Sequence, residues 1–194
     1  MKRVILIPVV HNLADLGSLA ESVRAHYARR LGPAAWEQRQ RTVEKLWSDI
    51  RRGLDALRMD WRQARIYQDG LPVCGKEEQI TRELAGAGSL NHQLVLELLE
   101  KGAALVGTED PQLLIREYQM QQRQLSPATG GAAPAPGVAA ELLAARDRFI
   151  AERIAATLEE DATGLLFLGA AHHITGLLRD AGLEVTSLDG QACN

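Results

Sequence analysis

Gly164-Leu165-Leu166-Phe167-Leu168-Gly169-Ala170-Ala171-His172-His173-Ile174-Thr175-Gly176 is the stretch on which the reading of the chain turns. An apolar run bounded by Gly164 and followed by small residues reads as a buried strand. Two histidines then stand where the next helix should begin. Strand packing requires no His-His pair at its end. In an open parallel sheet, ligands bind at the carboxyl ends of the strands. The two imidazoles therefore mark a candidate site.

Working outward, the same grammar repeats. Val4 to Val10 is a β-rich run of the kind that is buried on both faces of a parallel sheet, and it delivers His11 at its end. Pro8 is awkward inside it, because proline donates no ladder hydrogen bond. Leu13, Leu16, Leu19, Val23 and Tyr27 fall at helical spacing up to the Gly32-Pro33 stop. A longer helix is expected from 34 to 59, with Trp36, Val43, Leu46, Trp47, Ile50, Leu54 and Leu57 on one stripe and arginines on the other face. That stripe faces either the protein's own core or a second copy of the chain. Strands are expected at 64–68 and 103–107, the first ending at Asp69-Gly70 and the second at Thr108-Glu109-Asp110-Pro111. Helices fill 76–87, 91–100 and 111–122. Residues 126–137, rich in Pro, Gly and Ala, read as a flexible connection. A helix over 138–160 follows, with Leu142, Ala145, Phe149, Ile150, Ile154 and Leu158 inward. The His-His strand, a short helix to Ala181, Gly182 as its stop and a strand at 183–188 complete the chain.

Strands alternating with helices imply a single α/β domain over 1–194, with a mostly parallel sheet, helices on both faces and a long helical excursion (33–62) after the first strand. The 194 residues suffice for one sizeable aliphatic core. The net charge of −3 argues against a nucleic-acid partner, although Lys and Arg outnumber Asp and Glu before residue 68 and are outnumbered two to one after it. Two distant cysteines make no disulfide framework, and a buried Cys74 reads as inert. The N-terminal apolar run is at the short limit for a signal peptide, contains Pro8 and breaks into His11-Asn12 without a small-residue cleavage site, so it reads as a strand. No run reaches membrane-spanning length. The expected location is cytoplasmic.

If the strands are parallel, one rim collects His11, Asp69, Glu109, Asp110, His172 and His173. Imidazoles and carboxylates converging there could hold a divalent ion such as Zn, Mn, Fe or Co, with His11, Glu109 and His172 as the ligands. They could equally form a metal-free acid–base pair. Glu109 and Asp110 could also simply cap the helix that begins at Pro111.

A resemblance rests on the same region. Gly169-Ala170-Ala171-His172 is a G-x-x-H at a strand end. It is preceded by Arg146-Asp147-Arg148-Phe149-Ile150-Ala151-Glu152-Arg153-Ile154 and followed by Gly176-Leu177-Leu178 and Ala181-Gly182-Leu183-Glu184-Val185. This ordering resembles the C-terminal half of the TraB/Tiki superfamily, which also includes erythromycin-esterase-like and ChaN-like proteins. It is close over 141–186 and topological elsewhere. The first family motif reads Pro8-Val9-Val10-His11 here, with proline in place of glycine. The resemblance implies a site built from His11, Glu109, Arg146 and His172, with Asp69, Asp110 and His173 as second choices. In it Arg146 would bind an anionic group or stabilise developing negative charge, or else pair with a helix-end carboxylate. The family holds metal-dependent peptidases, esterase-like enzymes and a haem-binding protein, so fold alone does not fix the reaction. The expectation is a hydrolase acting on a small-molecule or peptide substrate. The alternatives are a non-enzymatic protein binding haem or another anionic small molecule, and a homodimeric interaction module organised by the 34–59 helix.

Overall fold

The computed structural model describes residues 2–10, 21, 23–25, 32–125, 135, 137–190 and 193. Five parallel strands form one sheet: β1 (Arg3–Val9), β2 (Ala64–Gln68), β3 (Ala104–Val106), β4 (Thr163–Gly169) and β5 (Glu184–Ser187), in the order β3-β2-β4-β1-β5. The helices are α1 (Pro33–Ala56), α2 (Glu77–Gly86), α3 (Leu90–Glu100), α4 (Pro111–Leu125), α5 (Val138–Thr157) and α6 (Thr175–Asp180). The α/β expectation with a parallel sheet holds. The helix expected at 13–27 lies largely outside the described residues, as does most of 126–137.

The order explains the layers. The chain moves one way along the sheet from β1 through β2 to β3, then returns through β4 to β5. Right-handed crossovers taken in opposite directions place their helices on opposite faces. Accordingly α1 and α3 cover one face, where Val43, Trp47, Ile50, Leu54, Leu94 and Leu98 pack on Ile5, Ile7, Ile66, Leu165 and Phe167. On the other face, Ile150, Ala151 and Ile154 of α5 and Leu178 of α6 pack on Val4, Tyr67, Leu166 and Leu168. The alternation Ile5/Val4 and Phe167/Leu166 between the two cores follows from the two-residue period of a strand.

Pro8 finds its explanation in register. β5 pairs with β1 only from Arg3↔Glu184 to Leu6↔Ser187, whereas β4 follows β1 to Val9↔Gly169. Pro8 is exposed and lies beyond the last β5 partner, where no strand among the described residues pairs with that edge of β1. The proline thus occupies the half of an interior strand that behaves as an edge.

Some boundaries move. α1 stops at Ala56 rather than Met59, because Leu57 turns extended and its N–H returns to Leu54 O. α5 stops at Thr157, with Leu158 extended and buried. Its buried stripe is Leu142, Arg146, Asp147, Ile150, Ala151 and Ile154, so two charged residues occupy core positions where Ala145 and Phe149 were expected. Among the described residues, no helix is long and apolar enough to cross a membrane.

Candidate functional site

The topology decides which strand ends meet. β3, β2 and β4 are neighbours, so the residues that follow them stand side by side: Glu109 after β3, Asp69 after β2 and His172 after β4. α5 crosses this rim and lowers Arg146 and Asp147 into it. Asp69, Glu109, Arg146 and Asp147 are all buried, and the His172 ring is 3 % exposed. Such a concentration of buried charge is costly unless every member is paired.

The pairing is dense. Arg146 Nε donates to Glu109 Oε2 at 2.6 Å, and its Nη2 donates to Glu109 Oε1 at 2.7 Å and to Asp69 Oδ1 at 2.9 Å. Nη1 donates to Glu117 of α4. These four contacts leave one of the five guanidinium N–H donors without a partner among the described residues. Backbone groups finish the carboxylates: Gly70 N–H donates to Glu109 Oε1 at 2.7 Å, and Gly169 N–H donates to Asp69 Oδ2 at 2.9 Å. Gly70 has φ +77, which a glycine adopts without steric cost. At Gly169 a Cβ would sit 2.8 Å from Asp69 Oδ2, so the G of the G-x-x-H is required by the carboxylate beside it.

His172 is held on both ring nitrogens. Its Nδ1–H donates to Asp147 Oδ1 at 2.5 Å, while Nε2 lies 3.5 Å from Asp69 Oδ1. The second Asp147 oxygen accepts the backbone N–H of His173 at 2.9 Å. Burial works against the imidazolium, but the hydrogen bonds to Asp147 and Asp69 outweigh it and push the His172 pKa up to about 9. Burial likewise opposes ionisation of Asp147, yet the donors from His172 and His173 hold its carboxyl below the ordinary value. Burial lifts the Glu109 carboxyl above its ordinary value, against the pull of Arg146. The guanidinium itself is penalised by burial and nonetheless raised by its carboxylates, so it stays charged. The cluster borders a cleft of about 440 Å³ between α4, α5 and the β4–α6 turn, with Val9, Leu114 and Leu143 supplying apolar wall.

Comparison with known protein families, characterised proteins and solved structures returned no match. The functional reading therefore rests on the residues themselves.

Of the sequence-derived candidates, the structure brings together Glu109, Arg146, His172 and Asp69. His11 lies outside the described residues. Asp110 Oδ1 accepts Gln112 N–H at 2.7 Å and so caps α4. The ring of His173 is exposed, and this residue contributes its backbone N–H instead. Cys74, expected to be buried, is an exposed thiol in the loop after β2. Sequence reasoning did not assign Asp147 or Glu117. Asp147 carried a signal, since a carboxylate on the apolar stripe of α5 needs a buried partner; Glu117 carried none.

The divalent-ion set gains little from this arrangement. Both Glu109 oxygens accept from Arg146, and no group of three or more His, Cys, Asp or Glu among the described residues is disposed to hold an ion. His172 points Nδ1 at Asp147 and Nε2 toward Asp69, which suits proton traffic better than ligation.

Proposed function

We propose that the chain is a TraB/Tiki-like hydrolase that attacks an ester or amide bond by metal-free acid–base chemistry, with His172 as the general base. The observation that carries this reading is the His172–Asp147 dyad: a buried imidazole oriented through Nδ1–H, on a residue that lines the cleft. Asp147 fixes the tautomer that leaves Nε2 able to take a proton from an attacking water and to return it to the leaving oxygen or nitrogen as the C–O or C–N bond breaks. Asp69, beside Nε2, steadies the imidazolium formed by that transfer. Arg146 lines the cleft, and its remaining N–H donor stabilises the charge that develops on the carbonyl oxygen.

The test is a panel of small esters and peptides assayed with the wild type, His172→Gln and Asp147→Asn. His172→Gln should lower kcat/KM by about 10²- to 10⁴-fold. With a His172 pKa of about 9, the wild-type kcat/KM should climb with pH and level off near that value. Asp147→Asn removes the partner that raises this pKa, so the levelling should move to lower pH. A chelator should leave the rate unchanged. Turnover retained in His172→Gln, or a rate independent of pH across this range, defeats the reading; loss of activity on chelation returns the metal alternative.

Binding without catalysis would use the same cleft, and the apolar wall formed by Val9, Leu114 and Leu143 favours keeping it as the second reading. It predicts ligand binding that survives in His172→Gln with no turnover of any ester in the wild type.

A further inference from the structure

We propose that the molecule taken into this cleft carries a cationic group, an ammonium or guanidinium, that seats against α4 beside Tyr118 and Glu117. The fate of that molecule rests on the hydrolase reading above; the sign of its charge does not.

The first argument is charge balance. The cluster holds two cations, Arg146 and His172, against four carboxylates, Asp69, Glu109, Glu117 and Asp147. A neutral His172 would only deepen the deficit. The guanidinium, which could have received an anion, already faces three carboxylates of its own chain. Among the described residues, no other lysine or arginine lines the cleft. An anionic ligand would therefore meet net repulsion and one available donor, whereas a cation meets a field already arranged for it.

The second argument is the chemistry of one helix face. Leu114, Glu117, Tyr118 and Gln121 stand at i, i+3, i+4 and i+7 of α4, and all four line the cleft. Glu117 is 28 % exposed, the most accessible carboxylate of the cluster. Only its Oε2 has a partner among the described residues, the Arg146 Nη1. Tyr118 is 37 % exposed. An accessible carboxylate oxygen next to a half-exposed phenol ring is the pairing that recognises organic cations, by Coulomb attraction and by cation–π contact with the ring face. To an anion the same face offers only neutral donors, the Gln121 amide and the Tyr118 hydroxyl, beside a carboxylate that repels it.

The experiment measures binding of benzyltrimethylammonium, benzyl alcohol and benzoate to the intact protein by calorimetry, with wild type, Glu117→Gln and Tyr118→Leu. The ammonium should bind at least about 10-fold more tightly than benzoate, and its affinity should fall as salt is raised. Tyr118→Leu should weaken it by roughly 2- to 30-fold, and Glu117→Gln should weaken it further, while benzyl alcohol changes little. Because Tyr118 lies outside the buried cluster, its variant reports on the site even if Glu117→Gln fails to fold. Benzoate binding as tightly as the ammonium, or ammonium binding unmoved by the substitutions that fold, overturns the proposal. Ammonium binding without hydrolysis of any ester supports it and defeats the hydrolase reading. Hydrolysis of neutral esters with no ammonium binding does the reverse.

Discussion

At the scale of single residues, His172 ties stability to pH in a definite sense. Its pKa is raised from 6.5 in the unfolded chain to about 9 in the fold. A group raised on folding stabilises most below its unfolded pKa, and that contribution disappears as pH rises through the folded one. The gain is at most on the order of 3 kcal/mol, since one pKa unit is worth about 1.4 kcal/mol. Asp147, lowered by the same contact, works in the acid range, and the two shifts are one interaction that must not be counted twice. Denaturation midpoints for the wild type should therefore fall between about pH 6.5 and about pH 9. In His172→Gln most of that slope should vanish. An equal slope in both proteins would mean that the imidazole is not charged in the fold. The residue scale is also where sequence and structure agree best and differ most sharply. His172, Asp69, Glu109 and Arg146 were visible because a strand end or a short motif singles out a position. Asp147 and Glu117 reach the site through helices, and a helix shows its buried face only where apolar residues trace it.

Among the elements, α1 answers the question its stripe raised. Val43, Trp47, Ile50 and Leu54 are spent on the chain's own sheet, and the Trp47 indole N–H donates to Val10 O at 3.2 Å. That hydrogen bond ties the helix to the end of β1. The arginine face, by contrast, is engaged partly in local pairs, Lys45–Asp49 and Arg52–Asp49, that contribute little in water, and partly through Arg51, which reaches Glu97 of α3. Trp47→Ala should cost about 3–5 kcal/mol, the range for a large aromatic removed from a core. Arg41→Ala, on the exposed face, should stay within about 0.5 kcal/mol. Chemical denaturation of the two variants beside the wild type reads both numbers. Comparable small effects would assign the stripe to another surface. Helix periodicity alone could not separate core from interface, because both bury the same apolar stripe. The sheet order settled it, by placing α1 over β1, β4 and β2.

For the whole molecule, the sheet order makes the chain hard to divide. β1 lies between β4 and β5, so the first strand is paired on both sides by the last two, while β4 joins it to the β2–β3 half. The site repeats this interleaving. Asp69 from the first half accepts from Gly169 and Arg146 of the second, and Arg51–Glu97 and Arg65–Glu159 draw the basic and acidic parts of the sequence together. This intramolecular match accounts for part of the charge asymmetry that might otherwise have called for a basic-surface partner. β3, β2 and β4 are neighbours that follow one another in sequence, but β4 is also paired to β1 and β1 to β5, strands from the two ends of the chain, so losing either half strips partners from the other and leaves charges buried in the site unpaired. Unfolding should accordingly be one cooperative step. Tryptophan fluorescence, from Trp36 and Trp47 of α1 and Trp61 packed against the same core, reports the α1 face of the sheet, and the far-ultraviolet circular dichroism reports all the helices, including α5 and α6 on the opposite face. In a denaturant titration the two signals should trace one curve. A fluorescence change that precedes the loss of helix would instead show the α1 face detaching from a sheet still held together by α5. The His172–Asp147 contact, anchored entirely on the α5 side, would then be expected to outlast it.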